Sequence, residues 1–189
     1  MPSQTSIKFT PNEYLVNERK SEIKHEFLDG VVFAMAGASK KHNQISSNLV
    51  RIIGNQILNK PCSVYASDMR VKSEATNKYS YPDIVVSCEN ENFEDEEEDS
   101  LLNPLIIIEI LSDSTEAYDR GDKFFHYRQI DSFVEYVLVS QKNQHIERFI
   151  RQADNTWLYS EFKTATDTVE LSAISCHLLL NDMYDKVMF

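Results

Sequence analysis

Residues 104–114, PLIIIEILSDS, constrain the fold more than any other stretch. The aliphatic run has the length and β-branched character of a buried strand, and its side chains alternate between the two faces of a sheet. Leu105, Ile107, Glu109 and Leu111 then share one face, and Ile106, Ile108 and Ile110 share the other. YPDIVVS, residues 81–87, has the same character and carries Asp83 just after Pro82, where chains often bend. A carboxylate in a buried strand costs roughly several kcal/mol unless it is paired or binds a metal. Any fold for this chain therefore has to account for Asp83 and Glu109.

The surrounding elements follow from local signals. FTPNEYLVNERKS reads as a helix start, with Thr10 as cap, Pro11 in the first turn and Glu13 completing a capping box. IKHEFLDGVVFAMAG alternates around Asp29-Gly30, a hairpin signal. Ile45, Leu49, Ile52, Ile53 and Ile57 recur at helical spacing, so residues 41–59 form an amphipathic helix. CSVYASDMRVKS reads as one strand, and STEAYDRGDKFFHYRQI as a helix despite Gly121, capped by Ser114 or Thr115. SFVEYVLVS, HIERFIR and TWLYSEF are further strands, and a short helix closes the chain near LNDMYDKV. The expectation is an α/β (mixed α+β) architecture: a mixed central sheet flanked by helices, with an added N-terminal hairpin and additional C-terminal strands. At 189 residues the chain suits a single domain with a sizeable core.

Composition narrows the function classes. The net charge of −11 argues against tight, non-specific nucleic-acid binding. Part of it is local, because ENENFEDEEED (residues 89–99) holds eight acids and no base, leaving −3 for the remainder. Such a block reads as a mobile, solvated loop, and the rest of the molecule remains free to carry a locally basic groove. Cys62, Cys88 and Cys176 are odd in number and scattered, which reads as buried free thiols in a reducing cytoplasm. No apolar run approaches a membrane span, and MPSQTSIKFT lacks the order of a secretion signal.

If the two strands pair, Asp83 and Glu109 converge at one end of the sheet. Two carboxylates in an apolar setting suit a hard divalent cation such as Mg²⁺ or Mn²⁺, which in turn polarises a phosphoryl oxygen and activates water. The ordered set YPDIVV, PLIIIEILSDST, DRGDKFFHYRQI and VEYVLV over residues 81–140 resembles the Uma2-like (DUF820) group of restriction endonucleases within the PD-(D/E)XK nuclease superfamily. HEFLDG and KHNQI extend the resemblance to almost the whole chain. It implies a metal-dependent DNA phosphodiesterase with Asp83, Glu109 and the carbonyl of Ile110 as metal ligands, and Glu26, before the Asp-Gly turn, as a third side-chain ligand.

One position departs from the superfamily pattern. The lysine expected two residues after the glutamate is Leu111, which can neither orient water nor neutralise charge. Lys123, one helical turn before Tyr127, is the candidate to supply it from the following helix, as electrostatic stabiliser and water positioner. His42 opens the long helix and could meet a phosphate or a site carboxylate, although a satisfied helix-terminal histidine is the plainer account. Asp68 and Arg70 read as a cross-strand ion pair, with Arg70 and Lys72 adding positive charge near the site, and Asp113, Asp119 and Asp122 as helix-start and surface acids. The expected partners are DNA and, as an option, a second copy of the chain. The rival functions are a catalytically silent DNA- or protein-binding module that keeps the nuclease fold, and a hydrolase of smaller phosphodiesters.

Overall fold

The computed structural model describes residues 8–189. Thr10 accepts the Glu13 N–H while the Glu13 carboxylate takes the Thr10 N–H at 2.8 Å, and this box starts α1 (Pro11–Glu18) where the sequence places it. Asp29 (φ 42°) and Gly30 (φ 95°) turn β1 (His25–Leu28) back into β2 (Val31–Ala34). Helix α2 (Lys40–Ile57), capped by Ser39, buries Ile45, Leu49, Ile53 and Ile57 along one face. The strand expected over residues 62–73 is two strands. A turn at Ser67-Asp68 ends β3 (Cys62–Ala66) and starts β4 (Arg70–Ser73) in a different sheet. Pro82 marks a second switch of sheet, between β5 (Lys78–Ser80) and β6 (Ile84–Cys88), so Asp83 stands immediately before its strand.

Next come β7 (Ser100–Leu101) and β8 (Ile106–Leu111). A continuous helical segment then joins α3 (Glu116–Tyr118), a π turn at Asp119–Lys123, and α4 (Phe124–Tyr127). Neither Ser114 nor Thr115 caps it; the Ser112 hydroxyl takes the Thr115 N–H at 3.2 Å. The chain ends with β9 (Glu135–Ser140), β10 (Ile146–Arg151), β11 (Trp157–Phe162), a hairpin of β12 (Thr168–Leu171) and β13 (Cys176–Leu179), and α5 (Leu180–Met183).

The mixed sheet has the order β11-β10-β9-β8-β6-β3, with β8 and β9 parallel and the other pairs antiparallel. Its two faces bury two cores. Ile106, Ile108 and Ile110 pack under α2, whereas Ile107 and Leu111 pack with Phe124, Tyr127 and Tyr136 beneath the 116–127 segment. Each fully buried isoleucine contributes about 1.5–3 kcal/mol. The alternation read from the sequence holds from Ile106 onward; Leu105, which precedes the strand, turns instead to the α2 side. A second sheet, β2-β1-β5-β4-β7, packs α1 against Phe27 and Tyr79.

Two expectations from composition are overturned. Cys62 and Cys88 are opposite one another on β3 and β6 and are joined as a disulfide, leaving Cys176 as the free, buried thiol. Their separation of 26 residues hides a pairing that strand register makes direct. The acidic block is folded onto the protein: Glu94 accepts from Lys72 (2.6 Å) and the Tyr79 hydroxyl (2.6 Å), Asp95 and Asp99 hold Arg19, and Asp99 also meets Arg70. Among the described residues no helix is long and apolar enough to cross a membrane.

Candidate active site

Glu109 is the centre of a buried polar cluster at the C-terminal end of β8. Its side chain is 2 % exposed, because it lies on the face covered by the 116–127 segment. Lys123 and Tyr127, four residues apart, stand over the same oxygen: the Lys123 ammonium is 2.9 Å from Oε1 and the Tyr127 hydroxyl donates to it at 3.0 Å. The π turn that carries Lys123 belongs to a class of helix irregularity often found at functional sites. The expected approach of Lys123 to Glu109 is therefore present in the geometry.

Asp83 sits at the junction of the two sheet faces. Its main-chain N–H points at Glu109 Oε2 (3.3 Å), and its own Oδ2 accepts the Ile110 N–H (2.7 Å). On the α2 side, His42 Nε2 lies 2.9 Å from Asp83 Oδ1. His42 thus pairs with a site carboxylate instead of closing on its own helix end. Asp83 is 18 % exposed and His42 13 %, so the cluster opens to solvent on this side.

Glu26 lies across Lys123 from Glu109. Its Oε2 accepts from Lys78 (2.8 Å) and Tyr118 (2.8 Å), while Oε1 is 3.5 Å from the Lys123 ammonium and 3.4 Å from the Tyr81 N–H. Both oxygens are engaged, so in this arrangement Glu26 braces Lys123. Asp119, expected on the surface, is buried with Oδ1 3.6 Å from Lys123. Asp113 does pair at the surface, with Lys142 at 2.9 Å, and Asp122 is exposed. Lys78, Tyr118 and Asp119 escaped the sequence reading as site residues. Lys78 is on a three-residue strand whose partner is 52 residues away, and only the β1–β5 pairing brings it to Glu26.

Burial pushes the Glu109 carboxyl well above its usual range, and the nearby Asp119 and Asp83 carboxylates push the same way against the pull of Lys123. Burial opposes the charge on Lys123, but Glu109, Glu26, Asp119 and Asp83 outweigh it and keep the ammonium protonated. Glu26 pays the same desolvation, yet Lys123 and Lys78 hold it below its usual range. Burial lowers Lys78 despite Glu26 beside it.

The predicted basic contribution of Arg70 and Lys72 is absent from the site. In the β4–β5 register Lys72 lies opposite Tyr79, so both bases project from the face away from Glu26 and Lys78, where the acidic segment neutralises them. Asp68 pairs with Lys24 and not with Arg70.

Among the described residues no three or more His, Cys, Asp or Glu side chains are grouped to hold a metal. The chemistry of the Asp83–Glu109 pair nonetheless fits Mg²⁺, which is commonly held by one or two carboxylates and keeps water or substrate phosphate as its other ligands. Glu109 Oε2, with only its 3.3 Å bond from Asp83 N–H, retains capacity for a further partner.

Residues 11–180 match the Uma2 family, described as "Putative restriction endonuclease". Two proteins of Synechocystis sp. are similar over most of their length: Uncharacterized protein slr1290 is 33% identical over 188 residues (100% of this chain, 97% of the relative), and Uncharacterized protein sll1609 is 34% identical over 168 residues (89% and 95%). The fold is similar to the crystal structure of a "putative nuclease belonging to DUF820" from Anabaena variabilis, with a TM-score of 0.78, 18% identity, and 95% of this chain and 99% of that one covered.

Proposed function

The chain belongs to the Uma2 family, and from that membership and the Asp83–Glu109–Lys123 geometry we propose that it is a metal-dependent DNA endonuclease. The observation that carries the reading is the placement of Lys123 against Glu109, with Asp83 beside them. Leu111 has left the strand position without its cation, and a helix residue brings one to the same carboxylate. Asp83, Glu109 and the Ile110 carbonyl are the proposed ligands of Mg²⁺ or Mn²⁺, whose chemistry would be to polarise the phosphoryl oxygen and lower the pKa of a water nucleophile.

The protein groups have separate tasks. Lys123 places a permanent positive charge where negative charge grows on the phosphoryl oxygens. Tyr127 fixes the orientation of Glu109, and Glu26, itself held by Lys78 and Tyr118, fixes Lys123 from the opposite side. His42 holds the Asp83 carboxylate at the open end. Because Glu109 and Lys123 are nearly dry, water weakens their fields little.

A nicking assay on supercoiled plasmid with Mg²⁺ or Mn²⁺, paired with Mn²⁺ titration calorimetry, tests the reading. The wild-type protein should nick and bind metal, and Asp83→Asn and Glu109→Gln should lose both. Metal-independent nicking, or nicking retained in Glu109→Gln, would overturn the assignment. Absence of cleavage and of metal binding by the wild-type protein would leave the silent binding module in its place.

A further inference from the structure

Glu109 and Asp83 are held by different means. Glu109 lies inside a strand, beneath Lys123 and Tyr127. Asp83 stands one residue before β6 and is 18 % exposed, so its orientation depends on what its two oxygens meet. Oδ2 accepts the Ile110 N–H at 2.7 Å, and Oδ1 lies 2.9 Å from His42 Nε2. A carboxylate accepts and does not donate, so this contact places the His42 proton on Nε2. From His42 a chain of hydrogen bonds returns to the strand it started from. The His42 main-chain N–H donates to the Ser39 hydroxyl at 3.1 Å, and that hydroxyl donates to Gln141 Oε1 at 2.6 Å. Gln141 Nε2 in turn donates to the Leu111 carbonyl at 2.9 Å.

Neither end of this chain leaves a choice of direction. A carbonyl only accepts, which turns Gln141 Nε2 toward Leu111 and Oε1 toward Ser39. The His42 N–H only donates, which leaves the Ser39 proton for Gln141. Donors aligned head to tail in this way strengthen one another. Because Ile110 and Leu111 are adjacent, the contacts close into a ring: Leu111, Gln141, Ser39, His42, Asp83, Ile110. Gln141 follows the last residue of β9, where Ser140 is opposite Leu111, so the ring joins the ends of β8 and β9 to the N-cap of α2. The Ile110 carbonyl lies between the two anchored groups of β8, the Ile110 N–H and the Leu111 carbonyl. We infer that Gln141 is a positioning residue of the site. Through Ser39 it places His42 against Asp83, and through Leu111 it holds the end of β8, so Asp83 and the Ile110 carbonyl keep a fixed spacing. That spacing serves the metal-dependent reading above, on which the role rests, while the hydrogen bonds carry the spacing itself. A glutamine that merely capped β8 would need its contact with Leu111 and not the one with Ser39.

The experiment compares Gln141→Leu, Ser39→Gly and Ser39→Thr in the full chain. Leucine removes both bonds of the glutamine. Glycine is nearly as good an N-cap as serine, so Ser39→Gly cuts the ring and leaves α2 close to its wild-type stability, and threonine keeps the hydroxyl. Two readouts are taken. One is Mn²⁺ affinity by titration calorimetry; the other is the His42 Nε2–H signal in ¹H–¹⁵N spectra of the metal-free protein, assigned by its loss in His42→Gln. Gln141→Leu and Ser39→Gly should shift or lose the His42 signal and bind Mn²⁺ about 10–100-fold more weakly, the range for loss of a partner that orients a metal ligand. Ser39→Thr should match the wild-type protein in both. Unchanged His42 signals or unchanged Mn²⁺ affinities in the first two variants would overturn the role, as would absence of the signal from the wild-type protein. Weakened binding in Gln141→Leu with Ser39→Gly like wild type would reduce Gln141 to a cap of β8. Should circular dichroism show Gln141→Leu unfolded, the two Ser39 variants decide. The two proposals fail separately. A wild-type protein that neither binds Mn²⁺ nor nicks sinks the metal reading and leaves the His42 signal to decide the ring, whereas metal-dependent nicking with an unmoved His42 signal sinks the ring alone.

Discussion

Glu109 and Glu135 are both buried glutamates of the central sheet, and their surroundings differ in kind. Glu135 opens β9 opposite Ile106, three rungs before the level of Glu109, and faces the other side of the sheet. Glu109 has an ammonium at 2.9 Å, a tyrosine hydroxyl at 3.0 Å and a main-chain N–H at 3.3 Å. Glu135 has Arg148 at 3.9 Å, beyond hydrogen-bonding distance, and its Oε1 has no hydrogen-bond partner. One carboxylate sits in a braced network of acids and bases; the other is an incompletely compensated charge. A buried acid by itself therefore says little about function in this protein. What distinguishes the candidate site is the second layer, in which Glu26, Lys78 and Tyr118 hold the lysine that meets Glu109.

The largest expected effect comes from removing that lysine. Lys123→Ala leaves Glu109, Glu26 and Asp119 facing one another without the shared cation. Breaking a buried ion pair in this way costs about 3–5 kcal/mol, so urea unfolding at neutral pH should show a loss of that size. Turnover, measured at a temperature where circular dichroism shows the variant still folded, should fall ~10²–10³-fold, as for loss of one electrostatic stabiliser. Full metal-dependent cleavage in Lys123→Ala would place the stabilising charge elsewhere and dissolve the contrast with Glu135.

How much of this was legible beforehand depended on range. Strand β8 and the shared face of Lys123 and Tyr127 follow from periods of two and 3.6, which are local properties of a chain, whereas the approach of Lys123 to Glu109 is what the family resemblance implies and spacing alone leaves Lys123 a surface lysine. The capping box of α1 and the Asp29-Gly30 hairpin are equally local. The features that escape reading are set by register between distant segments, Cys62 against Cys88 and Lys78 against Glu26, and for the same reason the sequence favours a helix-terminal account of His42 over the pairing with a site carboxylate that the structure shows. The change of sheet at Ser67-Asp68 was hidden because two short strands with one turn between them look like a single alternating run. The β12–β13 hairpin went unread for a similar reason, since its strands are four residues each and the turn between them has no Asn-Gly or Asp-Gly signal.

The next largest effect concerns the uncompensated partner in the comparison. Burial, only partly offset by Arg148 and the nearby Ser172 and Ala173 amides, pushes the Glu135 carboxyl up to about 7. The folded-state value is raised, so the associated stability is fully present below the unfolded-state value and is lost as pH rises through about 7. From the ordinary glutamate value of 4.5 the rise corresponds to roughly 3 kcal/mol. Glu135→Gln should therefore be close to neutral in stability near pH 4 and stabilising at pH 8.5, with nicking activity unchanged. A pH-independent difference between variant and wild-type proteins in urea melts would show that Glu135 does not titrate as its burial implies.

The smallest effect tests whether the second hydroxyl on Glu109 belongs to the chemistry or to its support. Tyr127 is 1% exposed and packs in tilted and edge-on contact with Phe133 and Tyr136, so Tyr127→Phe keeps the ring and deletes only the donor. Glu109 Oε1 would keep Lys123 as partner, which limits the expected stability loss to about 1 kcal/mol, the net worth of an ordinary hydrogen bond. Loss of a donor to the charged form also favours the protonated carboxyl, so the Glu109 pKa should move further upward. Turnover should fall by less than about tenfold at saturating metal, because the carboxylate is less firmly oriented but the cation at Lys123 is intact. The loss should also shrink as pH rises, since higher pH restores the ionised carboxylate that the hydroxyl had favoured. A pH-independent loss as large as that of Lys123→Ala would instead put the Tyr127 hydroxyl in contact with the reacting phosphate, and the bracing role assigned to it here would be wrong.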